Sequence, residues 1–126
     1  MDRARVFDTL LNNLEGMAYR CLFDAQWSMV FVSQGSLALT GYTPDELCGN
    51  AVVSWEHITH PHDRARVRAV VRQAVQTGLR FSVEYLITTR DGQTRRVIER
   101  GVAVRDEQGE RVIEGFIEDI TVRHAT

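Results

Sequence analysis

The last third of the chain limits its possible folds most. Residues 80–120 read RFSVEYLITT, Arg90-Asp91-Gly92-Gln93, TRRVIERGVAVR, Asp106-Glu107-Gln108-Gly109-Glu110, then RVIEGFIEDI. The first stretch alternates, with Phe81, Val83, Tyr85 and Ile87 on one face and Ser82, Glu84 and Thr88 on the other, the period of a half-buried strand. Asp-Gly between two such stretches is a strong hairpin signal, because glycine supplies the positive φ that a tight turn needs. A second turn at Asp106–Gly109 adds a third strand. Three antiparallel strands in series leave one apolar face to be covered, and the remaining residues must cover it.

Upstream, MAYRCLFD and WSMVFVS read as two more short strands, split by Asp24-Ala25-Gln26. Short helical pieces follow in QGSLALTGYTPDELCGN and WEHIT. Thr43, Pro44 and Glu46 stand at the N-cap, N1 and N3 positions of a capping box. Pro61 then opens a long helix, PHDRARVRAVVRQAVQTG, whose apolar stripe is Val67, Val70, Val71, Ala74 and Val75 and whose stop is Gly78. All these helices fall between the second and third strands. The order predicts an α+β domain: one five-stranded antiparallel sheet with helices packed on one face. Ahead of it, Val6, Phe7, Leu10, Leu11 and Leu14 mark an amphipathic N-terminal helix closed by Gly16. Two readings of that helix stay open, a cover for the domain's own sheet and a pairing surface for a second copy.

WEHITHPHD gathers His57, His60 and His62, three of the chain's four histidines. Pro61 suits the first helical position, Asp63 suits the positive end of the helix dipole, and His60 falls at the N-cap. No Cys, Asp or Glu at ligand spacing completes a tetrahedral metal site, so the cluster reads as a helix start. Fifteen basic against seventeen acidic residues give a net charge of -2, which offers neither nucleic acid nor an anionic membrane a basic surface. No apolar run is long enough to span a membrane. Cys21 and Cys48 lack CxxC spacing and read as two unpaired thiols of a reducing cytosol rather than one disulfide. Glu84, Glu99, Glu114 and Glu118 lie on strands and read as a solvated sheet face. Without a nucleophile–base pair, a GxxxxGK loop or a metal triad, nothing points to catalysis.

Several stretches together carry a family resemblance. They are Val32 to Leu47 with Gly49, Trp55 to Asp63 with its His-Pro-x-Asp helix start, Glu84-Tyr85, Asp91-Gly92, Asp106 to Gly109, Gly115 and Asp119-Ile120-Thr121. In this order and spacing the chain resembles a PAS sensor domain with its C-terminal PAC extension, of the type common in bacterial sensor kinases and cyclic-di-GMP enzymes. It departs from the family at Leu86, where an Arg is frequent, and at Arg95-Arg96-Val97, where a Trp is frequent.

The resemblance implies the PAS fold over residues 17–121, with the amphipathic helix over 1–16 ahead of it and the start of a linker over 122–126 after it. It implies a cavity between sheet and helices, lined by Phe31, Leu39, Trp55, Ile58, Val67, Val71, Tyr85, Ile98 and Phe116. The cysteine-bonding flavin photoreceptors need an Asn-Cys-Arg-Phe-type segment that is missing here. Non-covalent flavin beside Trp27 and Trp55, or haem recruited by His57 or His62, stay open, with no cofactor the leading expectation. Asp119, Ile120 and Thr121 are expected to relay the signal to an output domain, and Val6, Phe7, Leu10, Leu11 and Leu14 to form a homodimer interface. Two functions follow: a cytoplasmic module of a longer signalling protein that senses a small ligand and moves its ends, or a dimerisation and docking module with a filled core.

Overall fold

The computed structural model describes residues 2–122. In chain order the elements are α1 (Arg3–Asn12), β1 (Met17–Cys21), β2 (Met29–Val32), α2 (Ser36–Thr40), α3 (Pro44–Leu47), α4 (Trp55–Ile58), a 3-10 turn (Pro61–Asp63), α5 (Arg64–Thr77), β3 (Phe81–Thr88), β4 (Thr94–Arg105) and β5 (Arg111–Asp119). The strands form one antiparallel sheet in the order β2-β1-β5-β4-β3. The hairpin β1–β2 and the meander β3–β4–β5 join where β1 pairs with β5, which puts the C-terminal strand at the centre of the sheet.

Local chemistry sets the boundaries. Thr43 accepts the backbone N–H of Glu46, and the Glu46 side chain accepts that of Thr43 in return, so the capping box stands as read. Gly78, at φ +72°, ends α5 in a left-handed cap. The His60 ring accepts the His62 N–H and so caps the 3-10 turn. Asp63 leaves the helix end and accepts the N–H of Leu86 at 2.9 Å, which ties the start of α5 to β3. Leu39, Leu47, Trp55, Ile58, Val67, Val71 and Ala74 from the helices meet the inward face of the sheet in one core.

Three expectations change. The N-terminal helix ends at Asn12 rather than at Gly16. Gly16 instead lets the chain run against β5, where a Cβ would lie 2.6 Å from the Ile117 carbonyl oxygen. Trp27 and Ser28, read as strand, fall in the β1–β2 loop, and Trp27 takes φ +51° with its indole buried. Glu99, read as solvated, points into the core and is 6% exposed. Residues 123–126 of the expected linker lie outside the described residues.

Candidate functional site

The inward face of the sheet carries a polar chain inside an apolar shell. Trp55 Nε1–H donates to the Tyr85 hydroxyl at 3.0 Å, Tyr85 donates to Glu99 Oε1 at 2.5 Å, and Tyr19 donates to Glu99 Oε2. The chain joins α4, β3, β4 and β1. Burial pushes the Glu99 carboxyl up, and the two phenol hydrogen bonds recover only part of that shift. Burial first and the neighbouring Glu99 second raise Tyr19 and Tyr85 well above the usual phenol range. Burial likewise pushes the Cys21 thiol up, which leaves it an inert thiol. No arginine pairs with Glu99 among the described residues.

Two glycines make room for this arrangement. Gly101 and Gly115 face each other across β4 and β5. A Cβ on Gly115 would lie 2.8 Å from the Tyr19 hydroxyl, and one on Gly101 would lie 2.8 Å from Phe81 Cζ. The hollow of the sheet is therefore filled by the Tyr19 and Phe81 rings. What remains open is about 10 Å³, bounded by Cys21, Met29, Glu99 and Ile113 of the sheet and by Trp27, Trp55, Val67 and Val71 opposite. That is space for about one water.

The expected lining residues divide. Leu39, Trp55, Ile58, Val67, Val71 and Tyr85 are buried in the core, and three of them, Trp55, Val67 and Val71, border the cavity. Phe31, Ile98 and Phe116 belong to the opposite face. Ile98 pairs with Glu84 and Glu118, Phe116 with Arg100 and Ala18, and Phe31 with Arg20, all outward positions, and Phe31 is 43% exposed. The register carried a signal for this. Pairing Thr88 with Thr94 across the Asp91-Gly92 turn sets Glu99 opposite Val83, inward, and Ile98 opposite Glu84, outward.

A flavin or haem requires several hundred cubic ångströms, and the core does not fit one. His57 and His62 are exposed on the surface, away from the cavity. Among the described residues no group of three His, Cys, Asp or Glu side chains is placed to hold a metal ion.

Two surfaces complete the site. On α1 and just past its end, Val6 and Leu11 are half-buried, while Phe7, Leu10 and Leu14 stand 65%, 60% and 48% exposed. Beside Asn12 and Leu14, which line the same surface pocket, Asp119 Oδ1 accepts the Thr121 N–H at 2.8 Å and its hydroxyl at 2.6 Å. Thr121 Oγ1 accepts the Arg96 N–H at 2.9 Å, and Ile120 N–H donates to the Arg96 carbonyl. Residues 121 and 122 are helical, so the Asp119 side chain caps a first turn.

Known proteins share this architecture. The sequence matches the PAS fold over residues 29–117. It is 30% identical, over 98% of its length, to a methyl sulfide methyltransferase-associated sensor of Methanosarcina acetivorans, and it spans 12% of that relative. The PAS domain of a Colwellia psychrerythraea protein superimposes with a TM-score of 0.78 at 21% identity, covering 97% of this chain and all of that one. A sensory box histidine kinase/response regulator of Burkholderia thailandensis gives 0.66 at 26% identity, over 98% of this chain and 88% of the other.

Proposed function

The chain belongs to the PAS-fold family, and from that premise we propose that it is the regulatory sensor module of a larger signalling protein, working without flavin or haem. The core carries this reading: a space of about 10 Å³ beside a buried carboxylate can register a small occupant or a proton but not a large cofactor. In this reading the domain pairs with a second copy through α1 and moves an output domain, such as a histidine kinase or a cyclic-di-GMP enzyme, through Asp119–Thr121. The protein is expected to purify colourless above the aromatic absorbance band, with a native mass of two chains and nothing more. A visible spectrum that survives dialysis sinks the cofactor-free reading.

A second reading is a docking module that binds no small molecule. The exposed apolar stripe of α1 favours it, because such a patch marks a contact surface. Output activity of the full-length protein separates the two: a docking module keeps a fixed output whatever occupies the core.

A further inference from the structure

The cavity beside Glu99 has a chemical bias that its size alone does not express. The one carboxylate at its wall, Glu99, attracts positive charge. Glu99 is a buried carboxylate whose Oε1 and Oε2 already accept the Tyr85 and Tyr19 hydroxyls, and no arginine among the described residues balances it. The indole rings of Trp27 and Trp55 line the same space, and aromatic rings draw cations. A water there would find one strong acceptor and the weak Cys21 thiol, short of the two to four polar partners that a buried water ordinarily takes. A potassium or sodium ion would find too few oxygens, since hard cations gather about six. An N–H cation suits the wall better: one N–H reaches Glu99, and the rest of its charge lies against the indole rings of Trp27 and Trp55, which draw a cation but give a water no second strong acceptor.

We propose that this cavity is a binding site for a water-sized N–H cation, ammonium, held by Glu99 between Trp27 and Trp55. The proposal rests on the cofactor-free sensor reading and names the class of its ligand. Trp27 supplies the way in. It sits at φ +51°, a strained conformation for a bulky side chain that persists only where surrounding contacts hold it. Arg68 provides those contacts: it donates to the Asp24 and Ala25 carbonyls at 3.0 and 2.8 Å, and its guanidinium stands 4.4 Å from the Trp27 ring centroid. The loop is thus a latched cover whose buried residue forms one wall of the site.

The test compares thermal unfolding of the intact protein in ammonium, methylammonium, potassium and tetramethylammonium chlorides at one ionic strength and one near-neutral pH. Saturating ammonium should raise the midpoint by about 3–6 °C over potassium, and methylammonium and tetramethylammonium, too large for the cavity, should not. Glu99→Gln should remove the difference. Val71→Ile, which keeps the carboxylate and fills the space, should remove it too and guards against a Gln variant that fails to fold. Equal midpoints in all four salts overturn the proposal, as does an ammonium effect shared by methylammonium or tetramethylammonium or retained in either folded variant. A colourless protein with equal midpoints loses only the ligand class, whereas a coloured one loses the functional reading beneath it.

Discussion

At the scale of single residues, Glu99 and Asp63 are two carboxylates driven in opposite directions by their surroundings. Burial raises Glu99, so the folded state holds its proton to higher pH than the unfolded chain does. Its contribution is fully present below the ordinary carboxylate range and is lost as pH rises through the folded value. Tyr19, Tyr85 and Cys21, the titratable groups facing it, are themselves pushed up by burial and stay neutral in that window. Urea unfolding across pH should therefore show Glu99→Gln gaining on the parent as pH rises, and parallel curves would refute the assignment. For Asp63, partial burial pushes the carboxyl up, but hydrogen bonds from the Leu86 N–H and from Arg66 outweigh it and hold it below its usual range. Its contribution is present above that range and is lost as pH falls. Asp63→Ala leaves the Leu86 N–H without its acceptor and should cost about 2 kcal/mol at neutral pH. A loss below about 0.5 kcal/mol, the level of an ordinary surface change, would make Asp63 a bystander.

At the scale of elements, most of the fold was legible because its signals are local. Two tight turns, one capping box, one proline at a helix start and one left-handed glycine set the order of strands and helices. What was misread depended on partners distant in sequence. Gly16 has the sequence look of a helix stop, yet its real constraint is the backbone of β5. Trp27 continued an alternating pattern, yet the loop turns it inward against Arg68 of α5. Phe31, Ile98 and Phe116 are apolar on a sheet whose outer face is also partly apolar, so hydrophobicity alone did not say which side they take. The α1 stripe is the remaining question at this scale. Val6 and Leu11 rest toward the domain, and Phe7, Leu10 and Leu14 turn outward. Two large apolar side chains on one short helix, with Leu14 just past its end, favour a second copy as their cover, since a symmetric contact buries each stripe against its equal. The pair Leu10→Glu, Leu14→Glu places like charges on both sides and should give a monomer by sedimentation with the domain still folded. A parent that is monomeric at high micromolar concentration removes the dimer.

At the scale of the whole molecule, the arrangement of strands connects the core to the exit of the chain. Tyr19 lies on β1 and Glu99 on β4, with β5 between them in the sheet. Their hydrogen bond spans β5 at Gly115, where a Cβ would meet both the Tyr19 hydroxyl and the Arg100 carbonyl. A change in what Glu99 holds must therefore shift Tyr19, or β5 beneath it, or both. β5 ends at Asp119, whose side chain caps the helical turn at Thr121, while Thr121 is pinned in turn to the Arg96 backbone of β4. The junction thus has one hold on β5 and one on β4. Asp119→Ala removes the first hold and keeps the second. It should cost the cap about 1 kcal/mol and leave the domain folded. In the full-length protein it should uncouple output activity from whatever occupies the core, so that the mutant's output stays at one level with and without stimulus. A mutant whose output still follows the stimulus as the parent's does would reduce Asp119–Thr121 to a passive joint and leave α1 as the remaining route out of the sheet.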